Sequence, residues 1–122
     1  MDNPKYKELI RIGSTKEDLK GFPAEVRSVM GYALHVAQAG GKHPDAKPLN
    51  GFRGAGVLEV VEHYEGNSYR AVYTVKFRGT VYALHAFQKK SRKGITTPKP
   101  RIDLINARLK RAKEFHEREG KP

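Results

Sequence analysis

The stretch from residue 57 to residue 87 constrains the fold more than any other. Three runs rich in valine, tyrosine, threonine and phenylalanine follow one another with only turn residues between them. Residues 57–64, 69–77 and 80–87 read as strands. Glu65-Gly66-Asn67-Ser68 and Arg78-Gly79 supply the glycines that tight turns use. Strands joined this closely run antiparallel to their neighbours, so the centre of the chain is a meander.

Around it the spacing predicts one more strand and three helices. Residues 7–12 alternate in part and end at Gly13, a fourth strand. Ser14 with Glu17 has capping-box spacing and opens a short helix to about Lys20. Pro23 begins a second helix, in which Val26, Val29, Met30, Ala33, Leu34 and Ala37 form one apolar stripe, and Gly40-Gly41 ends it. Residues 42–56, with two prolines and three glycines, read as an ordered loop. After Pro98 and Pro100 a last helix spans about 101–118, with Ile102, Ile105, Leu109 and Ala112 as its inner stripe. The class is α+β in one domain, 1–122: a mostly antiparallel four-stranded sheet, N-terminal helices packed on one face, and a C-terminal helix.

Two-residue loops at Gly66-Asn67 and Arg78-Gly79 set a register. Arg70 then lies opposite His63 and Phe87, Val72 opposite His85, and Thr74 opposite Glu59. Glu59, His63, Arg70, His85, Phe87 and Lys89 share one face, while Tyr69, Ala71, Tyr73, Val75, Tyr82, Leu84 and Ala86 fill the other. A slip of one residue would exchange the faces.

Charge adds the kind of partner. Residues 1–87 hold 12 basic and 9 acidic residues, and residues 88–122 hold 12 and 4, so +8 of the net +11 follows the last strand. An anionic partner fits this asymmetry: nucleic acid, an acidic protein or a membrane surface. No apolar run is long enough to span a bilayer, and the N-terminus lacks the pattern of a signal peptide, so the expected location is the cytoplasm. With no cysteine, disulfides and thiolate chemistry are excluded. The histidines fall at no recognised ligand spacing, and no metal or cofactor is expected.

The charged face has what RNA phosphodiester cleavage asks for. A base activates the 2′-hydroxyl, cations offset charge on the phosphorane-like transition state, and an acid protonates the leaving oxygen. Arg70 suits the phosphate, since a guanidinium grips it bidentately. Glu59, His85, Lys89 and Lys90 are candidates for the remaining roles. Lys47, Arg53, His63, Arg92 and Lys93 offer charge along an RNA, and Phe87 offers a stacking surface. Each has a plainer reading. Arg70 pairs with Glu59 or Glu62, the histidines are polar surface, Phe87 is packing, and the lysines are solvated.

Six segments carry a family resemblance: YRAVYTV at 69–75, VYALHAFQKKSRKG at 81–94, TPKPRIDLINARLKRA at 97–112, AKPLNGF at 46–52, GVLEV at 56–60 and GYALHVAQAGGKH at 31–43. From about Leu9 to Ala112 the chain resembles the RelE/HigB toxin superfamily, in its phage-related HigB-like branch. The resemblance implies a RelE-like fold and the toxin of a type II toxin–antitoxin system. It implies an mRNA interferase that acts without a metal on the ribosome, by attack of the RNA 2′-hydroxyl. The implied partner is an antitoxin, a helix-turn-helix protein through which alone the toxin meets operator DNA. By the family's pattern, Arg70 is the strand arginine, Lys89 or Lys90 the basic residue beyond the last strand, and Glu59 the strand carboxylate. The chain departs from several relatives in having no tyrosine after Tyr82 and only His116 as a late histidine. That leaves the proton carriers open. A non-catalytic RNA- or ribosome-binding module and a module docking an acidic protein use the same cations.

Overall fold

A computed structural model describes residues 6–52, 54, 56–89 and 97–119. Its elements are β1 (Glu8–Arg11), α1 (Thr15–Lys20), α2 (Ala24–Gln38), β2 (Ala46–Pro48), β3 (Val57–Tyr64), β4 (Asn67–Thr74), β5 (Thr80–Lys89) and α3 (Lys99–Arg118). The strands form one sheet in the order β1-β5-β4-β3-β2. All pairings are antiparallel except β1 with β5. The sheet thus has five strands, not four. The added one, β2, lies in the segment read as a loop, where Lys47 pairs with Glu59 and Pro48 with Leu58. An edge strand tolerates a proline because its outer N–H groups need no partner, so Pro48 disguises a strand that forms all the same.

The alternation of β4 divides the core. On one face Tyr69, Ala71 and Tyr73 pack with Val26, Met30, Ala33, Leu34 and Ala37 of α2. On the other, Val72 packs with Tyr82, Leu84 and with Ile105 and Ala112 of α3. Ser14 does not build the expected capping box; its hydroxyl donates to Asp18 Oδ2 at 2.8 Å.

Two turns alter the register. The β3–β4 turn is Glu65-Gly66, with φ of 49° and 82°, so glycine takes the second turn position. Arg70 therefore faces Val61 rather than His63, and Glu59 faces Val72 rather than Thr74. A shift of two leaves every side chain on its face. Between β4 and β5, Arg70 faces Phe87 and Val72 faces His85 as expected, but a bulge follows, after which Tyr73 faces Ala83. The extra residue reverses the alternation before it, and Tyr82 and Leu84 move from the α2 face to the α3 face.

Candidate functional site

Sheet register sets the site on the α3 face in three rows. His63, Ser68 and Lys89 lie side by side across β3, β4 and β5; then Val61, Arg70 and Phe87; then Glu59, Val72 and His85. Lys47 extends the last row at the exposed edge beside Glu59. Glu59, Arg70, His85 and Phe87 come together, while His63 stands exposed at the far end of β3. Arg53, Lys90, Arg92 and Lys93 lie outside the described residues.

Arg70 is only 3% exposed. Its Nη1 donates to both carboxylate oxygens of Glu59 at 3.3 Å and to Thr97 Oγ1 at 3.3 Å. Thr97 in turn donates to Glu59 Oε2 at 2.6 Å. The expected ion-pair partner is therefore realised in a buried setting, where separating the charges costs several kcal/mol, roughly 3–5. Phe87 is buried too. The Arg101 guanidinium lies 4.7 Å from its ring centroid and the His85 ring stacks on it at 4.9 Å, so it braces these groups rather than presenting an open platform.

His85 is buried between two arginines. Arg101 Nη1 lies 3.1 Å from its Nε2, and Arg108 Nη1 lies 3.4 Å from its Nδ1. A guanidinium only donates, and a neutral imidazole accepts at one ring nitrogen only, so the ring is a neutral acceptor for the nearer Arg101. Burial, then the charges of Arg108 and Arg101, push its pKa down from 6.5 to about 4. Arg108 is fastened elsewhere as well: Nη1 donates to Leu84 O at 3.0 Å and Nη2 to Ser14 Oγ at 3.2 Å.

Arg101, Arg108 and Thr97 were not among the residues singled out from the sequence. The signal was present in α3, whose buried positions are Ile105, Arg108, Ala112 and His116. Reading the stripe through Ile102 and Leu109 hid an arginine on the same face, because apolar periodicity passes over a buried charge. His116 is structural: its Nδ1 meets the Tyr82 hydroxyl at 2.8 Å.

An open cleft of about 610 Å³ adjoins the site. Glu17 and Asp18 of α1 line one side, and Phe87 and Arg101 line the other. Away from it, on the opposite sheet face, burial and the neighbouring Asp45 raise the pKa of Glu62 to about 7.

Residues 17–110 match the family described as Phage derived protein Gp49-like (DUF891). No curated protein matches the sequence. Among solved structures, the chain is similar to the toxin–antitoxin complex RelBE2 from Mycobacterium tuberculosis. The identity is 20%, over 75% of this chain and 100% of that one, with a TM-score of 0.42.

Proposed function

Since the chain belongs to the phage-derived Gp49-like family, a RelE/HigB-like toxin family, we propose that it is a toxin acting as a metal-independent endoribonuclease on messenger RNA, on the ribosome. The observation that carries this reading is the convergence on one sheet face of a carboxylate, a neutral histidine and three arginines: Glu59, His85, Arg70, Arg101 and Arg108. Pure binding of a polyanion asks for cations and aromatics. It does not ask for a carboxylate set among them, which repels phosphate.

In this reaction the 2′-oxygen attacks the adjacent phosphorus, the bond to the 5′-oxygen breaks, and a 2′,3′-cyclic phosphate and a 5′-hydroxyl result. Glu59, the carboxylate of the face, takes the 2′-hydroxyl proton. Lys89, the last residue of β5, or Lys90, the next in sequence, gives a proton to the leaving oxygen. Guanidinium charge on this face offsets the charge that builds on the phosphoryl oxygens. His85 is a poor base near neutral pH, since its pKa is about 4, and it serves as a fixed acceptor.

The partner is a cognate antitoxin of the helix-turn-helix kind, which carries any contact with operator DNA. The place of action is the cytoplasm; no helix among the described residues is long and apolar enough to cross a membrane. Induction of the protein alone in a bacterium should arrest growth and create new 5′ ends inside translated messages, read by primer extension. Co-expression of the antitoxin should reverse both. Intact message in cells that hold ample folded protein would sink the enzyme reading. Retained RNA binding with a steep salt dependence would then favour a binding module.

A further inference from the structure

We propose that Arg101 is the guanidinium that meets the scissile phosphate, at the mouth of the cleft between α1 and the start of α3, and that Arg70 is a positioning residue. The assignment rests on the endoribonuclease reading and distributes the roles within it.

Arg70 is committed to Glu59. One of its nitrogens lies 3.3 Å from each carboxylate oxygen, Thr97 closes the group, and the side chain is 3% exposed. Handing that nitrogen to a phosphate would open the pair and leave the Glu59 carboxylate beside a second anion. Both changes oppose binding. Where it stands, Arg70 instead fixes Glu59 in position and orientation.

Arg101 is held without being neutralised. Its Nη1 bonds to the neutral His85 Nε2 at 3.1 Å, and its guanidinium lies over the Phe87 ring. No ion pair of Arg101 is found among the described residues, and residues 90–96, which lead toward α3, contain no carboxylate. A guanidinium has five N–H donors, and the bond to His85 uses one. Arg101 stands in the first turn of α3, where the backbone dipole is positive and no acidic residue offsets it.

The cleft gives this charge a ligand of definite size and direction. About 610 Å³ is ample for one nucleotide. Its walls are opposite in sign: Glu17 and Asp18 on α1, Arg101 on α3. Asp18 Oδ2 already accepts the Ser14 hydroxyl. A nucleotide therefore enters with its phosphate toward α3 and the donor-bearing edge of its base toward α1.

The test compares single-turnover cleavage of ribosome-bound message by the wild type and by Arg101→Ala, Arg101→Gln, Arg70→Ala and Arg70→Lys. Arg101→Gln keeps an N–H for His85 and removes the charge, so it remains informative if the alanine variant folds poorly. Both Arg101 variants should lose about 100-fold or more in rate, as for removal of one donor to a transition-state oxyanion. KM and melting temperature should change little. Added guanidinium ion at non-denaturing concentration should restore part of the rate of Arg101→Ala and none of that of Arg70→Ala. Arg70→Lys, which still pairs with Glu59, should recover most of what Arg70→Ala loses. An Arg101→Gln protein that cuts like the wild type, or rescue by guanidinium confined to Arg70→Ala, overturns the assignment alone. A wild type that cuts no message overturns the enzyme reading on which it rests.

Discussion

His85 has an arginine at each ring nitrogen, which makes its protonation a property of the folded state. Its folded pKa is about 4, against 6.5 for an unperturbed histidine. Between those values the unfolded chain binds the extra proton and the folded chain does not. Stability is therefore fully present above pH 6.5 and is lost as the pH falls toward 4, by at most roughly 3 kcal/mol. Glu62 works in the opposite sense. Its folded pKa, raised from 4.5 to about 7, costs stability as the pH rises through that range. Comparing the wild type with His85→Gln removes this shared background. Denaturant midpoints measured from pH 7 to pH 4 should fall less steeply in the variant, whose amide oxygen still accepts from Arg101. Equal slopes in the two proteins would mean that His85 is protonated in the folded chain.

At the level of elements, Arg108 ties α3 to the β1–α1 corner, and Gly13 makes the fit. Gly13 has φ of +60°, and a Cβ placed there would lie 2.9 Å from the Arg108 guanidinium carbon. Gly13→Ala should destabilise the protein by about 1–3 kcal/mol, from left-handed strain and displacement of Arg108. Gly31→Ala, inside α2 with no atom within 4 Å of the new methyl, should instead stabilise it by about 0.4–1 kcal/mol. Thermal melts of the two variants should move in opposite directions; a Gly13→Ala protein that melts no lower than the wild type would refute the role given to Gly13. The same corner shows what the sequence makes legible. Alternation in 69–75 and the stripe of α2 are local patterns, and both faces of β4 follow from them. The pairing of Arg70 with Phe87 agrees with the register expected from a turn at Arg78-Gly79. What escaped depends on the partner element. The bulge that turns Tyr82 and Leu84 toward α3 has no glycine to announce it, β2 is three residues with a proline, and Arg108 is polar at a core position. Of the site, the grouping of Glu59, Arg70 and His85 was readable from alternation. Thr97 and Arg101 were not, because no periodicity links the N-terminus of a distant helix to a strand.

Over the whole molecule the question is whether net charge or one face governs RNA affinity. Twenty-four basic residues against thirteen acidic ones attract any polyanion, so affinity alone says little about a site. Position separates the two possibilities. Lys47 is exposed beside Glu59 on the α3 face, whereas Lys113 is exposed twelve residues along α3 from Arg101, about 18 Å along the helix axis. Lys47→Glu and Lys113→Glu alter the net charge equally. If the RNA lies over the face, Lys47→Glu should weaken binding of a short single-stranded RNA. It should also flatten the plot of log affinity against log salt by roughly 0.7, the share of one lost phosphate contact. Lys113→Glu should leave that slope unchanged, because a charge beyond the Debye length of about 10 Å at 0.1 M salt is largely screened. Equal losses in both variants would make the attraction a property of the whole basic surface, and the sheet face would lose its claim to the RNA.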